Sequence, residues 1–81
     1  MDDILKKFGQ RLKELRKSKG LTQKEMADLM DMTDRNYQRF EYGKINVSAT
    51  TLCFLADFFG VTTDYLLGRS AERSGQTITV E

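Results

Sequence analysis

The chain of 81 residues has no histidine, no proline and a single cysteine. Without histidine it lacks the usual general base near neutral pH and the commonest metal ligand. Cys53 alone cannot form an internal disulfide or a cysteine-based metal site, and it has no histidine to pair with. Paired acids such as Asp2-Asp3 suit the start of a helix better than acid–base chemistry. An enzyme is therefore not expected, nor is a metal, an organic cofactor or a small-molecule ligand. No apolar run approaches the roughly 18 residues of a membrane span, and no signal-peptide pattern opens the chain. A cytoplasmic chain without a membrane partner is the expectation. There is no internal repeat and no low-complexity segment.

At 40% hydrophobic and 31% charged, the composition is that of one globular domain. A chain this short buries only about 60% of its unfolded surface, so it needs an economical core or a partner copy. The net charge of +1 says little about partners. Its distribution says more: eleven of the thirteen basic residues fall in the first 44 positions. Between Lys6 and Lys19 a single acid, Glu14, stands among Lys6, Lys7, Arg11, Lys13, Arg16, Lys17 and Lys19. Such a face is either plain solvated surface or a phosphate-contacting patch.

The periodicity gives an all-α chain of five helices. Helix 1 covers about residues 3 to 18, with Ile4, Leu5, Phe8, Leu12 and Leu15 stepping by three or four along one face. Lys17, Lys19 and Gly20 mark its stop. Helix 2 starts at Thr22, which has capping-box spacing to Glu25, and turns Met26, Leu29 and Met30 inward. Helix 3 has Thr33 as its N-cap and runs to about Glu41, closing near Gly43. Ser48 caps helix 4, whose Leu52, Leu55, Ala56, Phe58 and Phe59 are the largest apolar concentration. Gly60 ends it. Thr62 caps a short helix 5 stopped by Gly68.

Residues 69–81 change character, and Gln76-Thr77-Ile78-Thr79-Val80 alternates like a strand. That tail either lies loose or pairs with something such as a second copy. The chain thus divides into a domain at 1–68 and a tail at 69–81. Tyr37, Phe40, Leu29, Met26, Leu52 and Leu55 read as core. Cys53 reads as a small, partly buried hydrophobe, with a redox sensor as the alternative.

The stretch from Thr22 to Lys44 carries the functional signal: a short helix, a tight turn, a second helix and a loop ending in Gly43-Lys44. The second helix gathers Asp34, Arg35, Asn36, Gln38 and Arg39. Planar, multiply bonding side chains on one rigid helix suit the base edges of a major groove.

This ordered set resembles the Cro/XRE-type helix-turn-helix repressors, the lambda-repressor-like class of phage and bacterial regulators. The shared elements are Gly20-Leu21-Thr22-Gln23, Met26-Ala27, Thr33 and Glu41-Tyr42-Gly43-Lys44. Leu52 with Leu55-Ala56 follows, and then Gly60-Val61-Thr62 through Asp64-Tyr65-Leu66-Leu67-Gly68. The match runs from about residue 5 to 68 in one register. The resemblance implies a compact five-helix DNA-binding domain, its helix-turn-helix at helices 2 and 3, that binds double-stranded DNA with helix 3 in the major groove.

By position, the resemblance makes Asp34, Arg35, Asn36, Gln38 and Arg39 the base-reading set. Arg11, Lys17, Thr22, Gln23, Thr33, Tyr42, Lys44, Asn46 and the backbone amide of Gly43 become the phosphate contacts, which hold register without reading sequence. Arg16 and Glu41 correspond to an ion pair tying helix 1 to the end of helix 3; two separate surface charges are the alternative. Asp34 serves either the helix dipole or a cytosine amino group.

Two residues depart from the family's pattern. Asp31 takes the usual place of a turn glycine, and Val47 the place of a common proline before helix 4. Two functions fit: a dimeric repressor on a palindromic operator, or an antitoxin or adaptor module on the same fold. The full set of Arg35, Asn36, Arg39 and Lys44 favours the first.

Overall fold

The computed structural model describes residues 2–73, with the side chains described from Ile4 onward. Five helices follow one another: α1 Asp2–Ser18, α2 Gln23–Leu29, α3 Asp34–Glu41, α4 Ala49–Phe59 and α5 Thr63–Leu66. There is no strand among the described residues. None of their helices is long and apolar enough to cross a membrane. The strand-like stretch at residues 76–80 lies outside the described residues.

Helix ends are fixed by local chemistry. Thr22, Thr33, Ser48 and Thr62 each accept, through the side-chain oxygen, the backbone N–H three residues on. At Thr22 the capping box is complete, because its own N–H donates to Glu25 Oε1 at 2.8 Å. At the other ends one closure recurs five times. Leu21, Met32, Lys44, Val61 and Arg69 each donate an N–H to the carbonyl five residues back. The residue before each of those donors is left-handed. Four of them are glycines, and the fifth is Asp31 with φ 56°. Side chains at such a position are strained, aspartate less than most. The turn between α2 and α3 therefore keeps its shape without the family's glycine.

Phe8, Leu12 and Leu15 of α1 form the spine of the core, and Met26, Ala27, Tyr37, Phe40, Leu55, Ala56, Val61 and Leu66 close around it. Phe8 meets Phe40 edge to face with ring centres 6.1 Å apart. Helix α1 lies closest to the end of α3, and Gly9 permits it: a Cβ there would stand 2.6 Å from the Phe40 carbonyl oxygen.

Three residues expected inside lie outside. Leu29 is 51% exposed. The inward direction of α2 is set by Met26 and Ala27, and Leu29 lies about a third of a turn away. Ile4 is on the correct stripe of α1 but beyond the last core layer, and it is exposed. Cys53 is exposed rather than partly buried, because Leu55 and Ala56 define the inward side of α4.

Arg11, expected at a phosphate, is occupied within the protein. Its Nη1 donates to the Tyr65 carbonyl at 2.7 Å and to the Ser70 carbonyl at 3.3 Å, with the guanidinium 4.0 Å above the Tyr65 ring. Thr62 N–H donates to Arg73 O at 2.9 Å, so residues 69–73 fold back along α5.

Replacing Asp31 with glycine should relieve the left-handed strain and raise stability by about 0.5–1 kcal/mol. Urea denaturation checks this. An unchanged or lower midpoint would mean that the Asp31 side chain stabilises the turn.

Candidate nucleic-acid interface

Helix α3 has two sharply different sides. Tyr37, Phe40 and Glu41 are buried. Opposite them, Arg35, Arg39 and Tyr42 fall at i, i+4 and i+7 and form one outward row. All three are exposed, Tyr42 at 60%. Asp34 and Asn36 are exposed on the flanks, and Gln38 is half-buried. Asp34 is the first helical residue, where its charge complements the helix dipole. Thr33 Oγ1 accepts the Asn36 N–H at 3.1 Å, which leaves its own hydroxyl hydrogen free.

What holds α3 in this rotation is the carboxylate of Glu41. Arg16 Nε donates to Oε2 at 2.6 Å and Arg16 Nη2 to Oε1 at 3.2 Å. Gln23 Nε2 donates to Oε1 at 3.1 Å, and the Tyr37 hydroxyl donates to Oε2. Arg16 Nη1 goes on to the Leu21 carbonyl at 2.8 Å. Side chains from α1, α2 and α3 thus meet on one buried anion. Among the described residues no buried side-chain polar atom lacks a partner. Burial alone would raise the Glu41 pKa. The hydrogen bonds from Arg16, Tyr37 and Gln23 outweigh it and hold the carboxyl below the ordinary carboxylate value. Burial, reinforced by the hydrogen bond and negative charge of Glu41, pushes the Tyr37 phenol well above its ordinary range.

The candidate phosphate contacts divide into two groups. Lys17, Thr22, Lys44 and Asn46 are exposed, together with Tyr42 and Thr33. The backbone of Gly43 lies against α1, since a Cβ there would stand 3.0 Å from Lys6 Cα. Besides Arg11, two of the expected contacts are engaged internally. The Gly43 N–H donates to the Phe40 carbonyl at 3.1 Å as part of the helix closure, so it does not point at solvent. The Gln23 amide nitrogen is bound to Glu41, so Gln23 braces the last residue of α3. The sequence did not reveal that Tyr37 and Gln23 share the Arg16–Glu41 carboxylate. The i, i+4 spacing of Tyr37 and Glu41 was the available signal. Among the described residues no cluster of three or more His, Cys, Asp or Glu could hold a metal.

A family model described as Helix-turn-helix matches residues 12–66, and the chain belongs to this family. The chain is 45% identical over 60 residues to an SPbeta prophage-derived HTH-type transcriptional regulator, YonR, of Bacillus subtilis (strain 168). That alignment covers 74% of this chain and 56% of the relative. The HTH-type transcriptional regulator ImmR of the same organism is 39% identical over 62 residues, 76% of this chain and 49% of its own. The chain therefore spans about half the length of these two relatives. The control protein C.MunI of Mycoplasma sp is 40% identical over 63 residues, covering 76% of this chain and 85% of that protein. No solved structure matches the chain. The fold is thus a helix-turn-helix domain of the kind found in transcriptional regulators, a family that is not enzymatic.

Glu41 to Gln should cost about 3–5 kcal/mol at neutral pH, because it leaves the Arg16 charge buried without its counter-ion. The pH dependence follows from the direction of the shift. A carboxyl depressed in the folded state stabilises fully above its unfolded value and loses that stabilisation as pH falls through the folded value. Acid unfolding of the wild type should therefore be steeper than that of Glu41→Gln in circular dichroism titrations. Parallel acid limbs would show that the node contributes no linkage.

Proposed function

We propose that the chain is a sequence-specific, double-stranded-DNA-binding transcriptional regulator that lays α3 in the major groove and acts as a dimeric repressor. The observation that carries this reading is the outward row of Arg35 and Arg39 on a helix whose rotation is fixed by the Glu41 node. Arginine bridges guanine O6 and N7, and Asn36 can pair with adenine; each good pair discriminates by about 1–3 kcal/mol. Lys17 near the end of α1, with Tyr42, Lys44 and Asn46 after α3, supplies exposed groups for phosphates on either side. Five bonded helix ends and a buried ion pair make a rigid presenter, which suits direct readout.

One such domain offers little base contact. Affinity in the usual specific range calls for two copies on a palindrome, with half-sites about one helical turn apart. The names of the relatives, regulators and a control protein, support a regulatory role.

Arg35→Ala should relax preference at one base pair per half-site. Lys44→Ala should weaken specific and random DNA alike and lower the slope of log K against log salt by about one. Titrations at several salt concentrations separate the two effects. Equal losses on specific and random DNA for both variants would contradict this division of roles.

A further inference from the structure

Of the large apolar side chains among the described residues, Tyr42 is the most exposed, at 60%, ahead of Leu29 at 51%. It closes α3 as the C-cap residue, and its backbone is still helical, with φ −86° and ψ −2°. Its side chain therefore continues the sweep of the helix. Seven residues past Arg35, it returns to within about 20° of the same direction, about 10 Å further along the axis. An aromatic ring thus stands at the far end of the row that carries the two arginines.

A phosphate contact uses only part of this side chain. The hydroxyl can bond a phosphate oxygen, but it carries no charge and so releases no counter-ion. Lys17, Lys44 and Asn46 already offer exposed groups to the backbone. Serine or threonine would bring a hydroxyl with far less apolar surface. The ring is what a phosphate leaves unused. Tyrosine suits boundaries where one end of the side chain is apolar and the other wet. In a major groove the apolar group is the C5 methyl of thymine, which is read by contact rather than by hydrogen bonding. Base pairs rise by about 3.4 Å, so about 10 Å of helix laid along the groove spans about three of them.

We propose that the ring of Tyr42 reads a thymine by covering its C5 methyl, about three base pairs from the position that Arg35 contacts, while the hydroxyl keeps a flanking phosphate. The assignment rests on the placement of α3 in the major groove proposed above. It adds to the amide and guanidinium set a reader of a different chemical kind, one that distinguishes a methyl group.

The test starts from the duplex that the full chain selects from a random pool. Each thymine of that duplex is replaced in turn by deoxyuridine, which removes the C5 methyl and leaves every hydrogen-bonding group in place. At one position of each half-site the replacement should weaken wild-type binding about three- to fivefold, as expected for one buried methyl. Tyr42→Ala should bind the thymine and deoxyuridine duplexes equally, with circular dichroism unchanged. Tyr42→Phe should keep the methyl effect and lose affinity evenly across all the duplexes, with an unchanged salt slope. The proposal is overturned if no deoxyuridine position weakens the wild type, if every such effect persists in Tyr42→Ala, or if Tyr42→Phe abolishes it. A pool from which the wild type selects no motif overturns the regulator reading and this one together. A motif without a methyl effect overturns this one alone.

Discussion

The carboxylate of Glu41 is the point on which the arrangement of this domain turns. A buried charge is tolerated only when its lone pairs are met, and here Arg16, Gln23 and Tyr37 meet them from three helices. Glu41 is the last residue of α3, and Tyr37 is one turn before it. The same bonds that satisfy the anion therefore set the rotation of α3 about its own axis. That rotation decides that Arg35 and Arg39 face outward. A more apolar node could be equally stable, but it would not fix angle so directionally.

The short helices need this external fixing. An eight-residue α3 has little intrinsic stability, and so has a seven-residue α2. Side-chain caps at their starts and left-handed closures at their ends supply what length does not. The hydrophobic spine of α1 then holds the caps in register. Gly9 and Gly43, where α1 approaches the end of α3 and the loop beyond it, bring the basic first helix and Lys44 toward a common side. Rigidity and charge thus arise from the same close approach.

Helix number, caps and glycine stops were legible in the sequence because they depend on local spacing: Thr22 with Glu25, Thr33, Ser48, Thr62, and glycines at 20, 43, 60 and 68. The outward residues of α3 were legible for the same reason. What failed was nonlocal. Leu29 sits at helical spacing from Met26 yet faces a cleft, since periodicity cannot report whether a second helix arrives to cover it. Arg11 was expected at a phosphate, while its guanidinium lies over the ring of Tyr65 in α5, 54 positions along the chain, and donates to the Tyr65 carbonyl. The internal use of the Gly43 amide follows from the same closure that the glycine itself announced.

Whether α3 reads sequence is tested most directly by selecting bound sites from a pool of random duplex DNA with the purified chain. The account predicts enrichment of a single motif with two-fold symmetry and half-sites about one helical turn apart. A pool that binds through phosphates alone, with no motif enriched after repeated rounds at physiological salt, would contradict it.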